Sequence, residues 1–528
     1  MRRPLLLNGF MATGKSTVAR LVAERAGHPW LDLDAEIERS AGVSIATLFR
    51  DRGEAAFRAL ERERLLSILA QARGQVPPPV VALGGGALLR GDVRLQALDE
   101  TVVVTLEASA PQLLARSAGA ERPLLSGPNP LERIEELLEA RRPIYAEAHA
   151  RISTDGLDAA SVAERVISVW QRDAIAVAAE QRSYAVEIAR TGLCERLGEL
   201  VRGAPLAVLV SDSNVFPLHG APVVAALGRS SARVETIVLP AGEEHKTLAA
   251  PTSIWNRALE VEADRKTVFV ALGGGVASDI TGFAAAAWMR GAAWIGMPTT
   301  LLAMVDASVG GKTGVDLGTA KNAVGAFWPP SAVLCDVGLS STEPARGFTS
   351  GLSEVVKTAL IGDVELFELL EREAAAVRRR EPELVAEMVR RCVRVKARIV
   401  GLDERESGVR ATLNLGHTLG HALEAQGNYS ALTHGEAVSL GLVAALGIGE
   451  RLGLTPAALR ERSLALLQAL GLPSDLSNQP LGAASRLIGQ DKKRAGSRLK
   501  FVVVRAVGHV ETVDLPLDDL RQLARALV

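Results

Sequence analysis

The chain has 528 residues, of which 60 are basic and 61 acidic, so its formal net charge is -1. This length predicts about three to four domains of ordinary size. The balanced charge excludes a strong electrostatic grip on nucleic acid or on an anionic membrane, and it favours small-molecule partners. Three widely spaced cysteines match no zinc or disulfide framework. This cysteine pattern fits a reducing cytosol, so we expect a cytoplasmic location. No charge-free apolar run reaches the roughly 18 residues of a membrane span.

Lysine is rare in this chain: only ten of the 60 basic residues are lysines. Because Lys is a compact charge with a tunable pKa and Arg stays protonated, positions that keep Lys are candidate sites. Lysines such as Lys266, Lys396 and Lys500 are also compatible with ordinary surface positions. The lysines beside glycines, acids or turns are Lys15, Lys312, Lys321, Lys357 and the Lys492-Lys493 pair.

The first segment alternates apolar strands with helices. A strand (RPLLLNG), a glycine loop, a helix (STVARLVAERAG) and a short strand (PWLDLD) give the βαβ rhythm of a parallel sheet. Further strands (VVALGGG and TVVVTLEA) and the helical stretch LERIEELLEARRPIYAEAHA extend this pattern. The sequence therefore predicts an α/β domain over residues 1–172, followed by a linker over residues 173–182.

A phosphate-binding loop lies between the first strand and the first helix. The run GFMATGKST fits the pattern G-x-x-x-x-G-K-S, in which backbone N–H groups hold phosphates, the lysine reaches the transferred group and the serine ligates Mg²⁺. Asp32 and Asp34 follow at the end of the next strand and are expected to face this loop. The predicted ATP-binding residues of the loop are Ala12, Thr13, Gly14, Lys15, Ser16 and Thr17.

Further signals follow in order: Arg58 on a helix, GGG at 84–86, ERPLL at 121–125 in a lid, and ARRPIY at 140–145. Over its first ~170 residues, the length of one domain, the chain resembles shikimate kinase. The resemblance implies ATP-dependent phosphorylation of the shikimate 3-hydroxyl, with Asp34 as the carboxylate that holds the hydroxyls and accepts the proton. It also implies Mg²⁺ with ATP. The implied shikimate-binding residues are Asp34, Arg58, Gly85 and Arg141, and the implied nucleotide-side residues are Lys15, Asp32, Arg116 and Arg122.

One departure from this family is Ala12-Thr13, where the family commonly has Gly-Ala or Gly-Ser. Two other hypotheses fit a phosphate loop: a kinase for another small metabolite, such as gluconate, and a regulatory ATP sensor. Asp34, Arg58 and Arg141 argue against a sensor, because a sensor needs no substrate clamp.

A second α/β domain is predicted over residues 183–340, with strands SYAVEIA, LAVLVSD, VETIVLP and TVFVALGGG. The run GGGVASD places a tight glycine turn after a strand, where backbone donors can meet a pyrophosphate. After this domain the strand signals nearly vanish, and residues 341–528 are predicted to be mainly helical. Polar groups suited to ribose and phosphate are Asp212, Glu243, Lys246, Asp279, Thr299 and Thr300.

Three of the eight histidines fall within eighteen residues. His417 and His421 are four apart and share a helix face, and His434 follows a short loop. Two histidines and a distant carboxylate such as Glu354 are the ligand set of an open catalytic zinc site. The sequence therefore predicts a metal centre in the helical part.

From Tyr184 onward the chain resembles 3-dehydroquinate synthase, through motifs that appear in order: GGGVASD, MRG, PTTLLAMVDASVGGKTGV, KN, GLSEVVK, LNLGHTLGHALE, HGEAV and DKK. The resemblance implies NAD-dependent cyclisation of 3-deoxy-arabino-heptulosonate 7-phosphate to 3-dehydroquinate with loss of phosphate. It implies Zn²⁺ or Co²⁺ on Glu354, His417 and His434, and a homodimer through this half.

The resemblance also assigns roles to single residues. His421 is a proton relay or orients a ligand, and Asp306 and Lys321 hold nicotinamide and neighbouring groups. Around the substrate it places Arg290, Lys312, Lys357, Arg410, Asn414 and Lys492-Lys493. Its full NAD-binding set is Asp212, Glu243, Lys246, Gly274, Gly275, Val276, Asp279, Thr299, Thr300, Asp306, Lys312, Lys321 and Thr342.

One departure is Glu343, where this family usually has an apolar residue. Alternatives for this half are a metal-dependent polyol dehydrogenase, which performs net redox chemistry, and a sugar-phosphate cyclase that makes another carbocycle. The predicted fold is therefore α/β, with a P-loop kinase domain on a parallel sheet, a Rossmann-like NAD-binding domain and a mainly α-helical metal-binding domain.

Overall fold

The computed structural model describes residues 3–117, 129–172, 174–179, 182–231, 233–318, 320–406, 408–427, 431–488 and 498–527. The chain divides into two compact units, Met1–Glu187 and Ile188–Val528. Within the described ranges, no helix is both long and apolar enough to cross a membrane. Three predicted site residues, Arg122, Lys492 and Lys493, lie outside the described residues, as does the predicted lid segment 121–125.

The first unit contains a five-stranded parallel sheet in the order β2-β3-β1-β4-β5, as its elements below define it. The elements are β1 (Leu5–Gly9), α1 (Lys15–Ala26), β2 (Trp30–Asp32), α2 (Leu33–Ala41), α3 (Ile45–Ala72), β3 (Val80–Ala82), α4 (Gly91–Glu100), β4 (Val102–Glu107), α5 (Ala110–Ser117), α6 (Pro130–Ala146), β5 (Ala150–Ser153), α7 (Ala159–Trp170) and β6 (Ala174–Val177). The next strand, β7 (Tyr184–Ala189), includes the boundary between Glu187 and Ile188.

Both faces of this sheet are covered, because the apolar runs 5–7 in β1 and 102–104 in β4 bury alternate side chains on either side. The strand order brings the carboxyl ends of β2, β3 and β1 together, so that the phosphate loop, Asp32 and the glycines after β3 meet at one edge. The parallel-sheet prediction is confirmed. β6 lies inside the segment predicted as a linker and pairs with β7 in an antiparallel hairpin.

The second unit begins with a parallel sheet and continues into helices. Its elements are α8 (Leu193–Leu200), β8 (Ala207–Asp212), α9 (Phe216–Gly228), β9 (Val234–Leu239), α10 (Ala249–Glu260), β10 (Val268–Gly273), α11 (Gly275–Ala287), β11 (Ala293–Pro298), β12 (Lys312–Leu317), β13 (Ala320–Phe327), β14 (Ala332–Asp336), α12 (Ala345–Gly362), α13 (Val364–Arg378), α14 (Pro382–Leu402), α15 (His417–Gln426), α16 (His434–Arg451), α17 (Ala457–Ala469), α18 (Leu481–Leu487), β15 (Arg498–Ala506), β16 (His509–Pro516) and α19 (Leu517–Arg525).

The parallel strands of this unit run in the order β14-β11-β10-β8-β9. Their carboxyl ends bring Asp212, Gly273 and Pro298 to one edge, where a Rossmann-like sheet binds its ligand. The boundary predicted at residues 340 and 341 lies inside this compact unit.

The prediction of a mainly helical C-terminal part is confirmed by α12 to α19. Sequence analysis did not find the antiparallel hairpin of β15 and β16. Its first strand contains the β-branched run FVVV at 501–504, which is a strand signal but is short and isolated among helical patterns.

Candidate active sites

The phosphate loop leaves β1 at Gly9 and enters α1 through two residues with left-handed backbone, Ala12 (φ 63°) and Gly14 (φ 92°). Gly14 adopts this conformation without a steric penalty, whereas Ala12 is strained by about 1 kcal/mol. Ala12 therefore occupies a position at which the glycine that is common in the resembling family would be unstrained. Gly14 is the N-cap of α1 and offers no side-chain acceptor, which leaves the first-turn N–H groups for an anion.

Lys15 folds back against the carbonyl oxygens of the loop. Its Nζ donates to the carbonyl oxygens of Gly9 (2.9 Å) and Phe10 (2.8 Å), and the residue is only 8% exposed. Ser16 begins the same helix and donates from Oγ to Asp32 Oδ2. Asp32 also caps α2, because its Oδ1 accepts from the backbone of Asp34 at 3.0 Å. The serine and the carboxylate predicted to hold Mg²⁺ are thus in contact.

Asp34 and Glu61 present two unpartnered carboxylate oxygens at the glycines after β3. Asp34 Oδ1 and Glu61 Oε1 are both buried and accept no hydrogen bond from the described residues. A Cβ atom built on Gly84 would lie 2.7 Å from the first oxygen and 2.5 Å from the second. Only glycine fits there. Two buried carboxylate oxygens beside Gly84 that accept no hydrogen bond from the described residues suit a ligand that carries hydroxyl groups.

The pKa of Asp34 is raised by burial and by the neighbouring Asp32, although Lys15 and Arg58 oppose the shift. Burial also raises the pKa of Glu61, although Arg58 opposes it. A carboxylate with a raised pKa, beside an open acceptor position, is suited to act as a general base.

Arg58 and Arg141 both reach the same glycine segment. Arg58 Nη1 bonds Glu61 Oε2 at 2.6 Å, and a Cβ on Gly86 would collide with its guanidinium. Arg141 is buried and donates from Nη1 to the carbonyl of Gly85 at 3.1 Å. The structure therefore brings Asp34, Gly85 and the two arginines together, as predicted.

Two residues of this site were missed by sequence analysis. Glu61 orients Arg58, and the hydroxyl of Tyr145 donates to the carbonyl of Gly85 at 2.6 Å. Glu61 lies three residues after Arg58 on α3, so the helical spacing could have indicated it. Arg116 lies at the end of α5 and bonds Thr154 Oγ1 at 2.9 Å.

The nucleotide turn of the second unit follows β10. Gly274 is the N-cap of α11, so the first turn, which includes Gly275 and Val276, has no side-chain cap. A Cβ on Gly273 would lie 3.1 Å from Asp212 Oδ2, and the N–H of Thr299 donates to the carbonyl of Gly273 at 2.9 Å. The predicted residues at the ends of β8, β10 and β11 therefore meet, and the uncapped helix start fits a pyrophosphate.

Lys246 links three parts of this edge. Its buried Nζ donates to Asp279 Oδ2 and to Asn322 Oδ1, both at 2.6 Å. Burial raises the pKa of Asp279 to about 6, although Lys246 lowers it. Glu243 lies 3.7 Å from Lys321 Nζ across the same region. Asn322 stands in the KN motif, but sequence analysis assigned it no role.

Glu343 caps the helix that follows Thr299 and Thr300. Its Oε2 accepts the N–H of Leu301 at 2.9 Å, next to Thr300, whose Oγ1 accepts from Ala303. Burial raises the pKa of Glu343 to about 7, and the hydrogen bond from Leu301 offsets only part of the shift. Thr342, predicted to bind NAD, contacts His219 Nε2 at 2.7 Å. The departure at Glu343 thus places a half-buried, titrating cap where the family usually has an apolar residue.

Relative to the wild type, Glu343→Gln should increase the free energy of unfolding of the second unit by about 2 kcal/mol more at pH 8 than at pH 5. The folded carboxyl keeps its proton up to about pH 7, whereas the unfolded one loses it near the ordinary glutamate pKa of 4.5. The folding stability of the wild type therefore falls as the pH rises from 4.5 to about 7, whereas that of the variant does not, because glutamine does not titrate. Calorimetry of the full chain measures this, and the transition that NAD⁺ raises belongs to the second unit. An equal offset at both pH values would contradict the prediction, and Glu260→Gln, on the surface, is the control.

Glu354, His417 and His434 converge, as predicted for a metal centre. Their ligand atoms lie within 4.8 Å of one another, and Glu354 Oε1 is 3.5 Å from His417 Nε2 and 3.6 Å from His434 Nε2. A tetrahedral site with bonds of about 2.1 Å has ligand separations of about 3.4 Å, so these residues fit a zinc-sized ion. His421 lies beside them, with its ring 5.1 Å from that of His417.

The charges of this cluster match a cation. Burial and Lys357 lower the pKa of His417 to about 3, so its imidazole is neutral and can donate a lone pair. Burial lowers the pKa of His434, but hydrogen bonds to Glu354 and Glu424 outweigh it and raise the pKa to about 10. These carboxylates therefore favour a positive charge on or next to His434, which a proton or a metal ion can supply.

A buried lysine pair borders the metal residues. Lys357 forms an ion pair with Glu354, and Lys396 Nζ bonds Asp306 Oδ1 at 2.6 Å. Burial would raise the pKa of Asp306, but Lys396 and Lys357 hold it below its ordinary value. The surface interpretation of Lys396 is wrong: the residue is 8% exposed and belongs to this cluster.

Glu406 joins two predicted substrate residues that lie far apart in the sequence. It forms an ion pair with Lys312 and accepts from Asn414 Nδ2 at 2.7 Å. Arg410 is buried and donates to the carbonyl of Gly310 at 3.4 Å, and a Cβ on this glycine would lie 2.5 Å from the guanidinium. Sequence analysis missed Glu406, because no local motif marks it.

Arg290 is not brought to these clusters. It is exposed and has a left-handed backbone (φ 64°), and no hydrogen bond or ion pair of the described residues connects it to the metal cluster.

Comparisons with known proteins agree with this division. Family models match for shikimate kinase (residues 11–171) and for the N-terminal (236–350) and C-terminal (351–494) parts of 3-dehydroquinate synthase.

Three solved structures are similar. The first is 2-deoxy-scyllo-inosose synthase complexed with carbaglucose-6-phosphate, NAD+ and Co2+, at 26% identity and TM-score 0.62 over 67% of this chain and 99% of that one. The second is 2-epi-5-epi-valiolone synthase from Streptomyces hygroscopicus subsp. jinggangensis 5008 with NAD+ and Zn2+ bound, at 27% identity and TM-score 0.60 over 65% and 96%. The third is shikimate kinase from Acinetobacter baumannii in complex with shikimate, at 33% identity and TM-score 0.31 over 32% and 93%.

Proposed function

Because the chain belongs to the shikimate kinase family over residues 11–171 and to the 3-dehydroquinate synthase family over residues 236–494, we infer that its two sites perform those two reactions. The chain is a bifunctional enzyme of the shikimate pathway. One site phosphorylates shikimate to shikimate 3-phosphate with ATP. The other cyclises 3-deoxy-arabino-heptulosonate 7-phosphate to 3-dehydroquinate and releases phosphate. We assign the kinase to residues 1–172 and the synthase to residues 183–528.

In the kinase, catalysis rests on positioning and charge neutralisation. Mg²⁺ with ATP supplies the phosphoryl group and neutralises its charge. The N–H groups of the loop and Lys15 hold the phosphates, and Ser16 and Asp32 orient the metal side. Asp34 accepts the hydroxyl proton through its orphaned oxygen. Arg58 and Arg141 bind the substrate carboxylate beside the glycines after β3.

In the synthase, bound NAD⁺ would supply reversible hydride transfer, and Zn²⁺ or Co²⁺ would supply a Lewis acid for the substrate alcohol. The turn at Gly273–Gly275, with Asp212 and Thr299, binds the nucleotide. Glu354, His417 and His434 hold the metal. Lys312, Arg410 and Asn414 bind the anionic groups of the substrate, and Glu406 orients two of them.

The observation that carries the synthase proposal is the contact of the metal residues with a buried lysine set. Lys357 pairs with Glu354, and Lys396 with Asp306, within the same cluster. Several cations beside one metal suit a substrate with both a phosphate and a carboxylate. A polyol dehydrogenase handles uncharged substrates and has no need of them.

The test is phosphate release from 3-deoxy-arabino-heptulosonate 7-phosphate by the purified chain, while reduced nicotinamide is followed by absorbance. We expect release that a chelator abolishes, with no accumulating NADH, and in the same preparation ATP-dependent phosphorylation of shikimate. Stoichiometric NADH without phosphate release would identify a dehydrogenase. Turnover of only those sugar phosphates that lack a carboxylate would identify another cyclase.

We also propose that the chain is a cytoplasmic homodimer joined through its synthase half. The free thiols of Cys194, Cys335 and Cys392 support a reducing compartment. Small-molecule substrates are its proposed partners. Light scattering of the full chain tests the dimer, and a mass of one chain at micromolar concentration would reject it.

A further inference from the structure

Glu424 is a buried carboxylate that touches the metal cluster without belonging to its triad of ligands. It lies near the end of α15 and is 5% exposed. Its Oε2 is 3.5 Å from Nδ1 of His434, and its Oε1 is 3.9 Å from Nζ of Lys321. The opposite ring nitrogen of His434 faces Glu354 at 3.6 Å. The imidazole therefore lies between two carboxylates, one on each nitrogen.

Two glycines bring Glu424 within reach of the histidine. A Cβ on Gly441 of α16 would collide with the carbonyl of Gly416, and a Cβ on Gly420 of α15 would lie 3.0 Å from the carbonyl of Ala437. These glycines allow α15 and α16 to approach closely. His434 is the first residue of α16, where the Thr433 capping box fixes its backbone.

We propose that Glu424 is a positioning residue for the metal ligand His434. By accepting a hydrogen bond from Nδ1–H, its carboxylate fixes the tautomer in which the lone pair of Nε2 faces the metal, and it holds the ring in that orientation. This inference rests on the proposed metal site of the synthase. It deepens that proposal by adding a group that controls metal affinity from outside the triad.

A second arrangement uses the same atoms. The ligand atoms of His421, Glu424 and His434 also lie within 4.8 Å of one another and could hold a second ion. The ammonium of Lys321 next to Glu424 disfavours another cation there, because like charges repel at this distance. The two arrangements differ in metal stoichiometry: one ion per chain for a positioning residue, two for a second site.

The experiment titrates metal-stripped full-length chain with Co²⁺ and records its visible absorption. We expect one ion per chain in the wild type and in both variants, Glu424→Gln and Glu424→Leu. The Kd should rise about 10-fold in the first, which keeps an acceptor atom, and up to about 100-fold in the second. The control is Glu371→Gln on α13, which alters an ion pair with Arg462 on α17 and should leave the Kd unchanged.

Kd values of both variants within about twofold of the wild type would overturn the inference. So would two ions in the wild type falling to one in Glu424→Gln, because Glu424 would then be a ligand. Wild-type chain that binds no Co²⁺ would overturn the proposed metal site together with this inference. A wild type that binds one ion but lacks synthase activity would overturn the proposed reaction alone.

Discussion

Asp34→Asn should lower the kcat of shikimate phosphorylation by about 10²- to 10⁴-fold, the range that a positioned general base contributes. The variant keeps the shape of the side chain and removes its basicity. Because the orphaned Oδ1 of Asp34 lies in the cradle of Gly84, the amide can still be seated there. We therefore expect kcat to fall much more than KM rises. Initial rates of ADP formation at saturating shikimate and ATP measure this.

Two controls make this result specific. Glu24→Gln makes the same chemical change on the exposed face of α1 and should leave both activities unchanged. The synthase activity of Asp34→Asn, assayed in the same tube, should equal that of the wild type, because the two sites lie in separate units. A decrease in kcat of less than about threefold would exclude Asp34 as the base and leave it a role in binding.

The pH profile gives an independent measure of the same group. Burial and Asp32 raise the pKa of Asp34, so its protonated form persists to higher pH than that of an ordinary aspartate. The wild-type rate should therefore fall on the acidic side as Asp34 takes up its proton, and the variant should lack this limb.

Local motifs predicted the parts of the sites that lie close together in the sequence. The phosphate loop is a single run of nine residues, and His417 and His421 are one helical turn apart, so periodicity alone places each group. The partners of these residues come from distant segments. Lys396 contacts Asp306 across 90 positions, and Lys312 contacts Glu406 across 94. No spacing rule connects such pairs, because only tertiary packing, such as that of α14 against the helical turn Ala303–Ala307, brings them together.

Buried charge was the hardest feature to predict from the sequence. Lys396 and Glu424 look like ordinary helix surface charges, since each lies in a polar amphipathic stretch, yet each is nearly inaccessible. The cost of burying them is offset by partners on other elements, and the sequence does not show these partners. Gly420, which lets α15 approach α16, stands in the motif LNLGHTLGHALE, but the sequence does not show which helix it packs against.

His417→Ala should abolish the synthase reaction while preserving the fold. Removing a neutral imidazole takes away one of three metal ligands, and we expect the rate to fall by at least about 10³-fold, equivalent to roughly 4 kcal/mol of transition-state stabilisation. Because the pKa of His417 is about 3, its imidazole is uncharged, and its removal leaves no buried charge unpaired. Phosphate release and bound metal per chain should fall together, with kinase activity unchanged.

Glu354→Gln should give a different result, because it removes a ligand and also the partner of a buried cation. Lys357 is 2% exposed and forms its ion pair with Glu354, which is fully buried. Leaving the ammonium uncompensated costs about 3–5 kcal/mol of folding free energy, so this variant should lose stability as well as metal and activity. Adding Lys357→Met removes the stranded charge, and the double variant should regain stability but remain inactive. Calorimetry and phosphate release on the three variants separate these effects. If Glu354→Gln were as stable as His417→Ala, the buried ion pair would not be stabilising the synthase unit, and restored activity in the double variant would exclude Glu354 as a metal ligand.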